Sequence, residues 1–399
     1  MKRRPTKRAV VVIGIGALLV MAGATAQAGW LFVLAAGVLG LVAGSFVVKH
    51  RLGGVEIVRR MPQRARVGDA VRAGLTVANR TRSSVPMFTL KDSFAAFDPV
   101  TVGVERLGAE ARAEIELVRR ATSRGVHEEG AVSMTSGAPF GLVRSRRIRH
   151  IRTRFTVVPR WVELTSFPIL EPSSSPSEVL HERARTGAGE EYLGVREYRP
   201  GDPLRAVHWR TTARAGKLIV REYQQEVSST VGLVLAGADH GGPNHGNWPH
   251  SSFENLVSAA ASIGIYALHT GHPIHIARDQ GAGIEYLGGT GKHDLLDWLA
   301  AAQPFDGSLE PLVVQMLGRV GRRGTIVLCS TTAGTAGGSI ERSVRRIQRA
   351  GARAIVVAAR SSSWDPAAGD VVLPAGLGEG RVPIRELVAG EELESCLAG

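Results

Sequence analysis

The densest set of chemically capable side chains lies between Tyr192 and Glu222, in YLGVREYRPGDPLRAVHWRTTARAGKLIVRE. Glu197, Asp202 and His208 offer groups for proton transfer, and Arg196 or Arg205 offers a seat for an anion beside them. The same residues satisfy one another equally well without a substrate, through arginine–carboxylate pairs and guanidinium–aromatic stacking. Glu190, Glu191, Arg196, Glu197, Asp202, Arg205, His208, Trp209 and Arg210 are the expected members of such a network. Three readings therefore stand side by side: an ion network that holds the fold, a surface that docks a partner, and an active site. Between Gly189 and Glu226 there are seven basic and six acidic residues, whereas a nucleic-acid groove would be strongly positive. No nucleic acid is expected as a partner.

Other candidate chemistry is thinner. His240, His245 and His250 recur in DHGGPNHGNWPH. Histidine is a good zinc or nickel ligand, yet this spacing through a Gly/Pro-rich loop matches no compact site, so they are weak metal candidates and exposed loop residues otherwise. In GGTGKHD (288–294), Tyr286 stands where a phosphate loop needs its first glycine, and His293 stands where it needs Ser or Thr. No G-x-S-x-G is present to make a nucleophile elbow. Cys329 lies in the apolar run TIVLC and reads as a core residue, and Cys396 is too isolated in sequence to suggest a disulfide framework. No cofactor and no catalytic residue is assigned.

The elements that must position the charged segment are legible in outline. Tyr192–Tyr198 is strand-like, Arg199-Pro200-Gly201 turns, Asp202 is placed to cap a helix opening at Pro203, and Gly216 is placed to end it. A second strand, Leu218–Tyr223, returns. Downstream, buried apolar strands alternate with helical patterns: strands at 228–237, 272–278, 324–330 and 352–359, helices at 253–271, 293–302 and 339–351. That alternation predicts a parallel sheet covered on both faces. Upstream, residues 52–165 carry short Val/Ile-rich runs between turns, the pattern of an immunoglobulin-like β-sandwich. Within it VRSRRIRHIRTRF (143–155) holds six arginines in eleven positions. Its pattern does not alternate cleanly, and it reads as a solvated edge strand guarded by charge, with a strand facing anionic lipid or an acidic partner as the alternative. A Ser/Pro-biased linker occupies 166–188.

The N-terminus explains most of the +13 formal charge. Residues 1–51 carry seven cations and no acid, and no charged residue falls between Ala9 and Val48. Two apolar spans, about 9–26 and 30–48, are each long enough for a hydrocarbon core of roughly 30 Å, and Gln27-Ala28-Gly29 turns between them. A cleaved signal peptide is the competing idea, since ATAQAG offers small residues. Basic flanks at both ends predict a two-pass hairpin in the inner membrane, with both termini and the bulk of the chain in the cytoplasm.

The order G-x-x-x-x-x-x-R-E-Y-x-x-G-D-x-x-R-x-x-x-W, followed by AR and LIVREYQQE, closely resembles the hallmark of the bacterial proteins called domain of unknown function 58. The matching positions are Gly189, Arg196, Glu197, Tyr198, Gly201, Asp202, Arg205, Trp209, Ala213, Arg214, Arg221 and Glu222. SGAPFGL (136–142) resembles a further family element, DPFGL, with Ala138 in place of its aspartate. The resemblance is sharp over about forty residues (189–226) and looser elsewhere. It implies a membrane hairpin, a β-rich region and a von Willebrand A-like α/β half at 227–399. It also implies a MoxR-type AAA+ ATPase as partner, and hence a non-catalytic scaffold or adaptor in assembly, maturation or stress response. In place of the D-x-S-x-S metal motif of von Willebrand A domains stands AGADHGGPN (236–244), which offers Asp239 and no serine at the required spacing. The alternatives are an enzyme acting on envelope or phosphate-bearing substrates through the hallmark carboxylates, and a metal-dependent von Willebrand A-like binding module.

Overall fold

A computed structural model describes residues 2–47, 52–137, 140–169, 191–199, 202, 204–224, 230–236, 250–279, 284–289, 291–304, 309–322, 324–332, 336–368 and 382–398. The chain divides into two units, one of residues 1–160 with 247–249 and 296–302, the other of the remainder.

In the first unit, helix α1 (Lys7–Ala26) and helix α2 (Gly29–Val47) form an antiparallel pair. Thr6 caps α1 by accepting from the Ala9 amide at 3.3 Å, and Gln27, left-handed at φ 49°, opens the two-residue turn where the sequence predicts one. The residues buried on α1 are Ala9, Gly16 and Gly23, seven apart; Ala9 packs with Val42 of α2, Gly16 lies against Leu39, and Gly23 lies against Leu31 and Phe32. Small residues at this spacing let the backbones approach, while Val10, Val11, Leu18, Val33 and Leu34 point outward. Both helices are long and apolar enough to cross a membrane.

Among the described residues, the β part of this unit has nine strands: β1 (Lys2–Pro5), β2 (Val55–Arg60), β3 (Arg64–Arg66), β4 (Ala70–Asn79), β5 (Phe88–Phe94), β6 (Val100–Val104), β7 (Arg112–Arg120), β8 (Gly125–Ser136) and β9 (Val143–Val158). They form a three-stranded sheet, β2-β4-β7, and a six-stranded sheet, β1-β9-β8-β5-β6, with β3 also on β9. Alternating burial along β2 and β4 sends Val55, Ile57, Leu75 and Val77 inward, where they meet Phe88, Leu90, Val132 and Met134 of the other sheet. Two features depart from expectation. Lys2–Pro5 is a strand, paired antiparallel with Val143–Arg146, so the basic head of the chain belongs to the sheet. And β9 alternates after all: Arg144, Arg146, Ile148, His150, Arg152 and Arg154 are exposed, and the residues between them are more buried. It pairs with β8 along most of its length, and β1 and β3 cover its other edge only at 143–146 and 156–158. Among the described residues its middle is therefore an edge, and charge there discourages strand addition.

Nothing in the sequence pointed to the polar centre of this unit. Asp92 is buried and paired with two arginines, Arg59 and Arg119, the latter at 2.7 Å. Arg59 lies over the Phe94 ring and Arg119 over the Phe97 ring, at 4.7 and 4.6 Å to the centroids. Gly130 makes room: a Cβ there would sit 2.9 Å from Arg59 Nη1.

In the second unit, β10 (Glu191–Glu197) and β11 (Ile219–Gln224) make a two-stranded antiparallel ribbon. The remaining strands, β12 (Val231–Leu235), β13 (Ile274–Asp279), β14 (Ile284–Gly288), β15 (Thr325–Thr331), β16 (Arg353–Ala359) and β17 (Ile384–Leu387), form one sheet in the order β14-β13-β12-β15-β16-β17. All are parallel except β14, an antiparallel edge that the sequence reading lacked. Val234, Ile326, Leu328 and Val356 face the helices Leu309–Val320 and Ala336–Arg349. The helix Ser252–His269 covers the alternate residues, its Gly264 lying against Leu233. The central strands are thus buried on both sides, which is why they read as continuous apolar runs. Cys329 is wholly buried there, and burial pushes its thiol up to about 12.

Candidate functional site

The charged segment folds as a ribbon crossed by a short helical return. Register pairs Arg196 with Val220 and Glu197 with Ile219, and a bulge between Tyr192 and Gly194 shifts the ribbon by one residue. Arg196 grips Asp202 with both guanidinium nitrogens, Nη1 at 2.7 Å and Nη2 at 2.8 Å. The Asp202 carboxylate also accepts from the Arg199 amide at 2.8 Å, closing the turn on itself. The Arg196 hydrogen bonds, aided by that amide, hold the Asp202 carboxyl below the usual carboxylate range.

This corrects the expected helix. Asp202 is spent on Arg196 and Arg199, so it caps no helix. Residues 204–206 form a single tight turn, Val207 bridges back to Val220, and the His208 amide donates to the Ile219 carbonyl at 2.8 Å. That strand-like bridge interrupts the helix, which begins only at Trp209 and ends at Ala215. His208 is the cap: its Nδ1 accepts from the Thr211 amide at 3.2 Å. Gly216 closes the helix in the left-handed conformation, φ 67°, as the sequence predicts.

Glu197 pairs with Lys217, a residue absent from the expected network. Its signal was faint, because the two are twenty positions apart and meet only through ribbon register. Thr212 Oγ1, accepting from the Ile219 amide at 3.0 Å, ties the helix to β11. Tyr198 is half-buried and its amide donates to the Leu218 carbonyl. Arg214 and Arg221 are exposed. Gly189 and Gly201 lie outside the described residues, as do the side chains of Arg205 and Glu222.

The apolar residues split sharply. Val207, Ile219 and Val220 are buried beneath the unit, whereas Leu204 and Trp209 are 65% and 63% exposed. Trp209 is therefore not enclosed in a guanidinium–aromatic core, contrary to expectation. His240 and His245 lie outside the described residues. His250 is exposed, and its carbonyl accepts from Trp364 Nε1 at 2.6 Å. Among the described residues no group of His, Cys, Asp and Glu is placed to hold a metal ion.

An apolar helical pair, a two-sheet β unit and a charge-paired ribbon leading into a helix-covered, mostly parallel sheet define a multidomain protein whose signature lies in the ribbon. The profile of the family described as "Protein of unknown function DUF58" matches residues 194–376, opening inside β10. Over those residues the chain is similar to that family. YeaD of Bacillus subtilis strain 168, described as an uncharacterized protein, is 25% identical over 275 residues, which cover 64% of this chain and 60% of that protein. The match thus spans three fifths of the relative's length. Among solved structures, the alkylpurine DNA glycosylase AlkC of Pseudomonas fluorescens shares 13% identity over 26% of this chain and 30% of its own, with a TM-score of 0.15. A GH20 exo-β-N-acetylglucosaminidase of Vibrio harveyi shares 7% over 77% and 57%, with a TM-score of 0.18. Superpositions at these scores carry no argument.

Proposed function

We propose that this protein is a membrane-anchored, non-catalytic adaptor that presents its ribbon to a MoxR-type AAA+ ATPase. One observation carries the reading: the two described carboxylates of the unit, Asp202 and Glu197, are held in internal pairs with Arg196 and Lys217, while Leu204 and Trp209 stay exposed. A catalytic carboxylate must stay available to a substrate, and a tryptophan left in water on a braced scaffold is a natural anchor for a protein partner. On this reading the β part is an immunoglobulin-like sandwich and the second sheet a von Willebrand A-like docking scaffold.

Pairing of Lys2–Pro5 with β9 supports the membrane topology. If α1 and α2 cross a bilayer, the strand before α1 and the strands after α2 lie on one side, and the cations at both ends favour the cytoplasmic side. The test is co-purification from native membranes with the full chain, its Leu204→Ser/Trp209→Ala variant, and circular dichroism on both. The ATPase accompanies the unaltered chain and is reduced at least about tenfold with the folded variant, the scale expected for losing an anchor residue. Equal recovery with both sinks the docking role of these residues, and no ATPase with either sinks the adaptor.

A further inference from the structure

The loop before β9 is stitched to the first turn of α1. The Thr6 amide donates to the Leu142 carbonyl at 2.9 Å, and Thr6 Oγ1 donates to the Gly141 carbonyl at 2.8 Å. Leu142 is buried with Ala9 and Val42, and Val12 packs on them, so this loop reaches into the base of the helical pair. The twenty residues of α1 measure about 30 Å, the thickness of a hydrocarbon core. Ala9, two residues from the helix start, then lies at the headgroup boundary, and Leu142 lies there with it.

Two further features share this level. Phe140 and Met87 are 55% and 67% exposed and line an open groove of about 640 Å³ together with Arg8 and Glu105. Beside it, β1 and β9 set like charges directly opposite each other at Arg4 and Arg144. Such cross-strand pairs are destabilising in water. They become favourable against an anionic surface, where each cation contributes on the order of a fivefold preference.

We propose that this face is a lipid seat. Phe140 and Met87 enter the headgroup–acyl boundary, and Arg4, Arg8, Arg144 and Arg146 bind the phosphates of anionic phospholipid, which fixes the β unit against the bilayer. The inference rests on the reading that the helical pair spans the membrane. It goes beyond that reading because a spanning hairpin on a free tether would need no lipid contact from the β unit.

The test uses the full chain with Cys396→Ser, in nanodiscs of phosphatidylcholine with and without phosphatidylglycerol. Nitroxides are placed singly by Leu18→Cys, Phe140→Cys and Val118→Cys, and their depth is read from oxygen and nickel-chelate accessibility. Separately, mass spectrometry reads which lipid stays bound after mild extraction from an equal mixture. The expected result is a deep label at 18, a boundary label at 140 and an aqueous label at 118. Phosphatidylglycerol is enriched on the unaltered chain, and the enrichment falls at least about tenfold in Arg4→Gln/Arg144→Gln/Arg146→Gln. A deep label at 18 with 140 as aqueous as 118 overturns the seat while leaving the hairpin standing. So does equal retention of the two lipids, or spin–spin broadening at 140 that reveals a second copy on this face. A shallow label at 18 overturns the spanning reading and this inference together.

Discussion

Asp202 shows how a residue that resembles a catalytic acid becomes structural. Two guanidinium hydrogen bonds and one amide leave its carboxylate little to offer a substrate, and they lower its pKa. A carboxyl whose folded pKa is depressed adds stability that is present above its unfolded value, about 3.9, and lost as pH falls through the folded value. Asp202→Asn removes that contribution and costs about 1–2 kcal/mol at neutral pH. Thermal melts at pH 7 and pH 3 check this: the difference between the two proteins shrinks at the lower pH, and a constant difference contradicts it. The thiols give a second residue-scale prediction. With its pKa raised to about 12 by burial, Cys329 has almost no thiolate at neutral pH, and the half-buried Cys396 is also raised, mainly by desolvation. Maleimide at pH 7 therefore labels Cys396 slowly and Cys329 only after denaturation. Rapid labelling of both in the native protein contradicts the buried placement. Arg196 and Asp202 were both legible as members of an ion network, because a cation and a carboxylate six positions apart stand out in the sequence, although the pairing between them was not specified. Lys217 was not, since no local rule links it to Glu197.

At the scale of elements, alternation made β2, β4 and β7 readable, and Gly216 marked a helix end. The helix start was misplaced because Asp202-Pro203 is as good a turn as it is a cap, and the bridge from Val207 to Val220 decided between them. The helix Leu309–Val320 was missed although its buried residues fall at i, i+3, i+4, i+7 and i+11. Pro311 disguised it, in the first turn where proline is tolerated. The Arg59–Asp92–Arg119 centre was invisible, because its members sit on three strands far apart in sequence. Its burial makes it sensitive to change. Asp92→Ala leaves two buried guanidiniums without their carboxylate and costs about 3–5 kcal/mol. Replacing the set by Arg59→Met/Asp92→Leu/Arg119→Leu recovers most of that loss, since well-packed apolar groups replace buried ion pairs at little cost. Chemical denaturation compares the two. A triple variant no more stable than the single one shows that shape, rather than uncompensated charge, sets the requirement.

For the whole molecule, charge and hydropathy located the hairpin, and strand–helix alternation announced the second sheet. What they missed was that the chain's first strand joins β9, a non-local pairing that ties the start of α1 to the β unit. That pairing makes topology testable. In sealed membrane vesicles, cysteines placed by Arg4→Cys and Val118→Cys are reached by an impermeant thiol reagent from the same face, and reactivity from opposite faces contradicts the fold. The central claim, that the braced ribbon is where an ATPase docks, is tested most directly by a photo-crosslinking amino acid at position 209 of the full chain in living cells. The account predicts a covalent adduct with a MoxR-type AAA+ ATPase that is absent when the crosslinker replaces Val118. Adducts with the ATPase from position 118 but none from 209, or none from either, would contradict it.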